Sequence, residues 1–119
     1  MKKINLAEKF ALINRHWDPK IVGELNGQGV KLAKLKGEFI WHHHENEDEL
    51  FFVVEGCLTI HFREQSVQLA QGELIIIPRG IEHKPEAENE VSVLMFEPLG
   101  TRNTGNVTSD RTLERPESI

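Results

Sequence analysis

Two separated stretches of this chain carry residues of metal-ligand type. The first reads Gly37-Glu38-Phe39-Ile40-Trp41-His42-His43-His44-Glu45-Asn46-Glu47-Asp48-Glu49, with Gly56 a few residues on. The second reads Gly72-Glu73-Leu74-Ile75-Ile76-Ile77-Pro78-Arg79-Gly80-Ile81-Glu82-His83. His42 and His44 stand two apart, so on an extended strand both imidazoles project to one face and His43 to the other. Glu49 opens the apolar run Leu50–Val54 and shares strand parity with Phe51 and Val53, while Asp48 has the opposite parity. His83 follows a Pro-x-Gly turn that would swing it back toward a cavity. Three imidazoles and one carboxylate are the ligand mix of a divalent first-row transition metal, with Fe first and Mn, Ni or Zn behind it.

The same residues carry a family resemblance. His42-x-His44-x4-Glu49-x6-Gly56 resembles the first motif of the cupin superfamily, and Gly72-x5-Pro78-x-Gly80-x2-His83 resembles the second. Eight positions match in order and separation, a more specific signal than one short motif. Gly37 precedes His42 by four intervening residues where the family has five, and Ala87 stands where an asparagine is usual. Neither departure touches a ligand position. The resemblance covers roughly residues 30 to 97 and implies an all-β fold, an antiparallel β-barrel of jelly-roll (double-stranded β-helix) type. It also implies that His42, His44, Glu49 and His83 are the metal ligands. Two other metal motifs are excluded. The acidic run 45–49 lacks the alternating oxygen ligands and central glycine of a calcium loop. His44-Glu45-Asn46-Glu47-Asp48 lacks the second histidine of a zinc-protease helix.

The elements that must position these residues follow from periodicity. Residues 5–14 read as a short helix, with Asn5 as N-cap, Glu8 completing a capping box, and Leu6, Phe10 and Ile13 on one stripe. Asp18-Pro19 stops it. Strands are expected at 21–25, 30–35, 39–44, 50–55, 58–62, 67–69, 74–77 and 91–97, so the barrel occupies about 20–97 of a single domain. Residues 98–119 lack apolar periodicity, and Glu97-Pro98-Leu99-Gly100-Thr101-Arg102-Asn103-Thr104-Gly105 resembles the ending of a group of small stand-alone cupins. That resemblance implies an irregular but ordered tail. Leu50–Val54 and Leu74–Ile77 are apolar on both faces, so the outer face needs cover from the helix, a neighbouring sheet or a second copy. Trp41 shares that outer surface, and a homodimer is expected.

Composition narrows the function classes. The chain has 119 residues and a net charge of −5 with no Lys/Arg cluster, which argues against nucleic-acid binding. No run approaches a membrane span, and the charged start forms no signal region. Cys57 is the one cysteine, so no intrachain disulfide exists and a cytoplasmic location is expected, with Asn106-Val107-Thr108 a coincidental sequon. Cys57 reads as a buried, inert thiol, and His43 as exposed or interfacial. His61 reads equally well as a residue behind the ligands or a solvated one, and His16 as structural. Arg63 and Arg79 read as solvated turn residues.

Ile40, Phe51 and Val53 would line the pocket and favour a small, partly apolar organic ligand. Four protein ligands leave one or two exchangeable positions on an octahedral ion, which suits dioxygen activation or Lewis-acid chemistry. A mononuclear metal enzyme of dioxygenase type is the leading expectation. The alternatives are a metal-dependent isomerase of a sugar or enolisable acid, and a ligand-sensing module without turnover.

Overall fold

A computed structural model describes residues 1–119. Asn5 caps the first helix by accepting a hydrogen bond from the Glu8 backbone N–H at 3.0 Å. Helix α1, Leu6–Phe10, is shorter than the stripe suggested, because Leu12 and Ile13 bond back three residues rather than four. The apolar stripe still docks. Phe10 and Ile13 pack on Leu32, flanked by Val54, Leu94 and Ile119.

Eight strands follow: β1 (Lys20–Leu25), β2 (Gln28–Glu38), β3 (Glu49–Glu55), β4 (Leu58–His61), β5 (Ser66–Leu69), β6 (Leu74–Ile77), β7 (Lys84–Pro98) and β8 (Glu117–Ser118). The long strand β7 organises them. It pairs with β2 for most of its length, with β4 through residues 84–86 and with β3 through residues 92–96. Near the change of partner the β2–β7 register shifts between Leu35 and Gly37, where Gly37 adopts a φ of +81° that favours glycine. The result is a jelly roll whose sheet does not close, since β5 pairs only with β4 and β6 only with β3. β8 in the C-terminal segment pairs in parallel with β1.

Alternation along β2, β3 and β7 fills the interior. Ala33, Leu35, Phe51, Val53, Val91, Val93 and Met95 form the main core with Leu58, Ile60, Leu69 and Ile77. Continuing the same parity outward brings Lys31, Glu49 and Glu97 to one end of that interior, and all three are buried. The outer face is only partly covered. Helix α1 takes the Leu32–Val54–Leu94 side, whereas Leu74 and Ile76 of β6 remain more than half exposed.

Two expected strands differ from those observed. Residues 39–44 form no strand and contribute a single bridge between His42 and His83. The last long strand starts at Lys84 rather than Val91, because the polar run Lys84–Glu90 hides a ladder to β4 that apolar periodicity does not mark. No helix is long and apolar enough to cross a membrane.

Candidate metal centre

His42, His44, Glu49 and His83 converge: one donor atom from each lies within 4.8 Å of every other, and all four residues are buried. His42 and His83 face each other through paired backbone bonds, His42 N–H to His83 O at 3.1 Å and His83 N–H to His42 O at 2.9 Å. The Gly80 N–H donates to His44 O at 2.8 Å, which ties the Pro78–Gly80 turn to the second histidine. Glu49 opens β3 opposite Ile77 of β6. Asp48 points outward, as its parity requires, and accepts from the Arg79 backbone N–H at 2.9 Å and from its guanidinium Nε at 3.2 Å.

The donor set fits a divalent ion. The Nδ1–H groups of His42 and His83 each donate to a carbonyl, Ile40 O and Ile81 O, both at 2.9 Å. That fixes the tautomer and leaves each Nε2 with a free lone pair. His83 Nε2, both ring nitrogens of His44 and Glu49 Oε1 are buried without a hydrogen-bond partner. Glu49 Oε1 lies 3.3 Å from His83 Nε2 and 3.5 Å from His44 Nε2, longer than a charge-assisted hydrogen bond. Donors ~2.1 Å from a shared ion lie roughly 3–4 Å apart, so these gaps suit atoms arranged around a centre. Unpartnered buried donors otherwise cost stability, and a cation would satisfy them together.

Electrostatics agree with that role. Burial, reinforced by His83, lowers the His42 pKa to about 4, so the ring is neutral near pH 7 and able to ligate. Burial alone would raise the Glu49 pKa, but the close approach of the His44 and His83 ring nitrogens outweighs it and holds the carboxyl well below its usual range. Glu97 moves the other way. Burial and then the charge of Glu49 push its pKa well up, against the pull of Lys31. Lys31 Nζ reaches Glu97 Oε1 at 2.9 Å in a fully enclosed pair, and Glu97 Oε2 has no partner.

A cavity of about 40 Å³ adjoins His42 and Glu49, walled by Trp17, Leu35, Phe39, Phe51 and Met95, with Glu97 and Asn103 as its other polar groups. A water needs at least ~10–15 Å³ measured this way, so the space takes a few waters or the chelating end of a small molecule. Trp17 stacks on Phe39 at 4.8 Å between ring centres, and Phe39 meets the His42 ring edge-on at 5.4 Å.

These observations meet the comparisons with known proteins at one point. Residues 30–97, which contain all four donors, match the cupin domain family. The chain belongs to that family. A crystal structure of a cupin-2 domain containing protein from Shewanella frigidimarina is 47% identical, with a TM-score of 0.79 over 80% of this chain and 93% of that one. Uncharacterized protein YdbB of Bacillus subtilis is 41% identical over 53% of this chain and 57% of its own length. An acireductone dioxygenase of Gluconobacter oxydans is 36% identical over 52% of this chain and 35% of its own length. The chain thus spans little more than half of one curated relative and about a third of the other.

Within this cupin several residues depart from expectation. Ile40 does not line the cavity; with no strand at 39–44 its place falls to Phe39, and Val53 is sealed in the core instead. Cys57 is exposed rather than buried, because it lies with Gly56 in the turn between β3 and β4. His61 stands apart from the centre, bonded to Ser66 Oγ and Glu86 Oε1, each at 2.7 Å. His43 pairs with Glu45, His16 with Glu90, and Arg79 with Asp48. Arg63 bonds Glu82 and lies 3.9 Å over the Trp41 ring. Sequence reasoning missed Glu97, Lys31, Trp17 and Asn103. Parity with Met95 and Ala33 could have exposed the first two, whereas no periodic signal marks Trp17 or Asn103.

Proposed function

We infer that this cupin binds one divalent transition metal through His42, His44, Glu49 and His83 and is a mononuclear metal enzyme of dioxygenase type acting on a small organic substrate. The observation that carries the reading is the buried cluster of imidazole and carboxylate donors left without partners. The similarity to an acireductone dioxygenase supports it. An ion held this way supplies Lewis-acid polarisation or a place for dioxygen activation. The chain's own part is to bind, orient and keep dry. Phe39, Phe51 and Met95 give the cavity apolar walls that limit water, and its small size selects a compact carboxylate, enolate or hydroxyketone.

Protein purified without added metal should contain close to one transition-metal ion per chain, and reloading with Fe(II) should give oxygen uptake with such a substrate. Wild-type protein that is metal-free and takes up none would overturn the reading. Isomerisation of an enolisable substrate is the second reading, favoured by the free Glu97 Oε2 in the same cavity. It requires turnover without oxygen uptake, lost in Glu97→Gln with metal retained.

The uncovered Leu74 and Ile76 support a homodimer through the β6 face. Sedimentation should give twice the chain mass, and a monomer at micromolar concentration would refute the dimer.

A further inference from the structure

The segment that carries His42 and His44 is poorly supported by the sheet. It lies outside the strands: the Phe39 N–H donates to Pro85 O of β7 at 3.0 Å, and beyond that the segment is held by the His42–His83 bridge and the Gly80 bond to His44 O. The backbone of His43, between the two, faces away from both. A single residue of the C-terminal segment satisfies it. The His43 N–H donates to Asn106 Oδ1 at 2.9 Å, and the Asn106 N–H donates to His43 O at 3.0 Å. Asn106 therefore does the work of a missing neighbouring strand, using one side-chain and one backbone group.

The contact is close and braced from behind. Gly105 has a φ of +54°, and a Cβ there would fall 2.1 Å from His43 O and 3.3 Å from His42 Cδ2. Thr104 is fully buried, donating to Val107 O at 2.6 Å and sharing a 2.7 Å bond with Thr112 Oγ1. The Asn103 amide holds Arg111 O at 2.9 Å and the Leu113 N–H at 2.7 Å, and the residue lines the cavity. These bonds tie the loop to itself, and its tip sits against His43 and the His42 ring.

We propose that Asn106, seated by Gly105, is a positioning residue for the metal centre: its two-point grip on His43 sets the directions of His42 and His44. This rests on the metal reading above. Groups that orient ligands from outside the coordination sphere change metal affinity by roughly 10–100-fold. The test is Co(II) binding to metal-free protein by chelator competition, with the Co(II) ligand-field spectrum recorded for wild type, Asn106→Ala and Asn106→Asp. Asn106→Ala should bind about tenfold more weakly with an altered spectrum, while Asn106→Asp, which keeps an acceptor for the His43 N–H, stays within about threefold. Unchanged affinity in Asn106→Ala overturns the proposal, as does an Asn106→Asp variant as weak as Asn106→Ala. An Asn106→Ala protein that no longer folds without metal makes the role purely structural and also overturns it. Wild-type protein that binds no Co(II) fails the metal reading itself, and the proposal with it.

Discussion

Glu49 and His83 are carried by the sheet, whereas His42 and His44 are carried by a connection that the sheet barely touches. Glu49 begins β3 within a four-rung ladder to β6, and His83 leads directly into β7. The histidine pair instead takes its support from a turn, a single bridge, one backbone bond from Phe39 to Pro85 of β7 and the C-terminal loop. Half of the candidate centre is thus fixed by hydrogen-bond ladders, and half by contacts between irregular segments far apart in sequence. Ladders are cooperative and redundant, so losing one side-chain contact changes little. A two-bond clamp has no redundancy.

The largest effects should ignore this difference. His42→Ala and His83→Ala each remove a donor, one from each half, and both should weaken Co(II) binding beyond the ~100-fold ceiling of outer-shell groups. Chelator competition would read this, and a large loss in only one of them would mean that the other histidine is not a ligand.

A second effect isolates His42. Its folded pKa of about 4 lies below the ordinary histidine value of 6.5, so between those pH values the unfolded chain binds a proton that the folded one refuses. Stability of the metal-free protein should be full above pH 6.5 and fall as pH drops toward 4, by up to about 3 kcal/mol from this group. Urea unfolding across that range should show the slope in wild type and a flatter one in His42→Gln.

The smallest effect sharpens the contrast most. Asp48 bonds Arg79 on the exposed side of the ladder-held half, much as Asn106 bonds His43 on the other. Exposed pairs contribute only ~0–1 kcal/mol, so Asp48→Ala should change metal affinity by about fivefold at most, against about tenfold or more for Asn106→Ala. Equal losses in the two would erase the distinction between the halves.

The same division decides how much was legible beforehand. Ligand spacing and strand alternation are local, so Glu49, Phe51 and the outward turn of Asp48 could be read directly. Short strands broken at Gly56, Gly72 and Pro78–Gly80 read as a sandwich or barrel, and the cupin resemblance narrowed that to a jelly roll. Parity fails where no strand forms: alternation predicts Ile40 as a cavity wall, but residues 39–44 are a connection and Phe39 takes that place. Trp17 reaches the cavity at a positive φ of 59°, held by its N–H to Lys34 O, a long-range contact with no periodic trace. Asn106 lies 63 residues from the backbone it grips, in a stretch whose composition reads as loop. Glu97 is within reach of the same argument, since it continues the inward parity of Val91, Val93 and Met95, but an acidic side chain at a strand end carries no apolar signal.

X-ray absorption on protein loaded with one equivalent of Co(II) or Fe(II) tests the metal centre most directly. The account predicts imidazole scattering from three histidines plus an oxygen donor, all at about 2.1 Å. A first shell of oxygen alone, without imidazole, would contradict it.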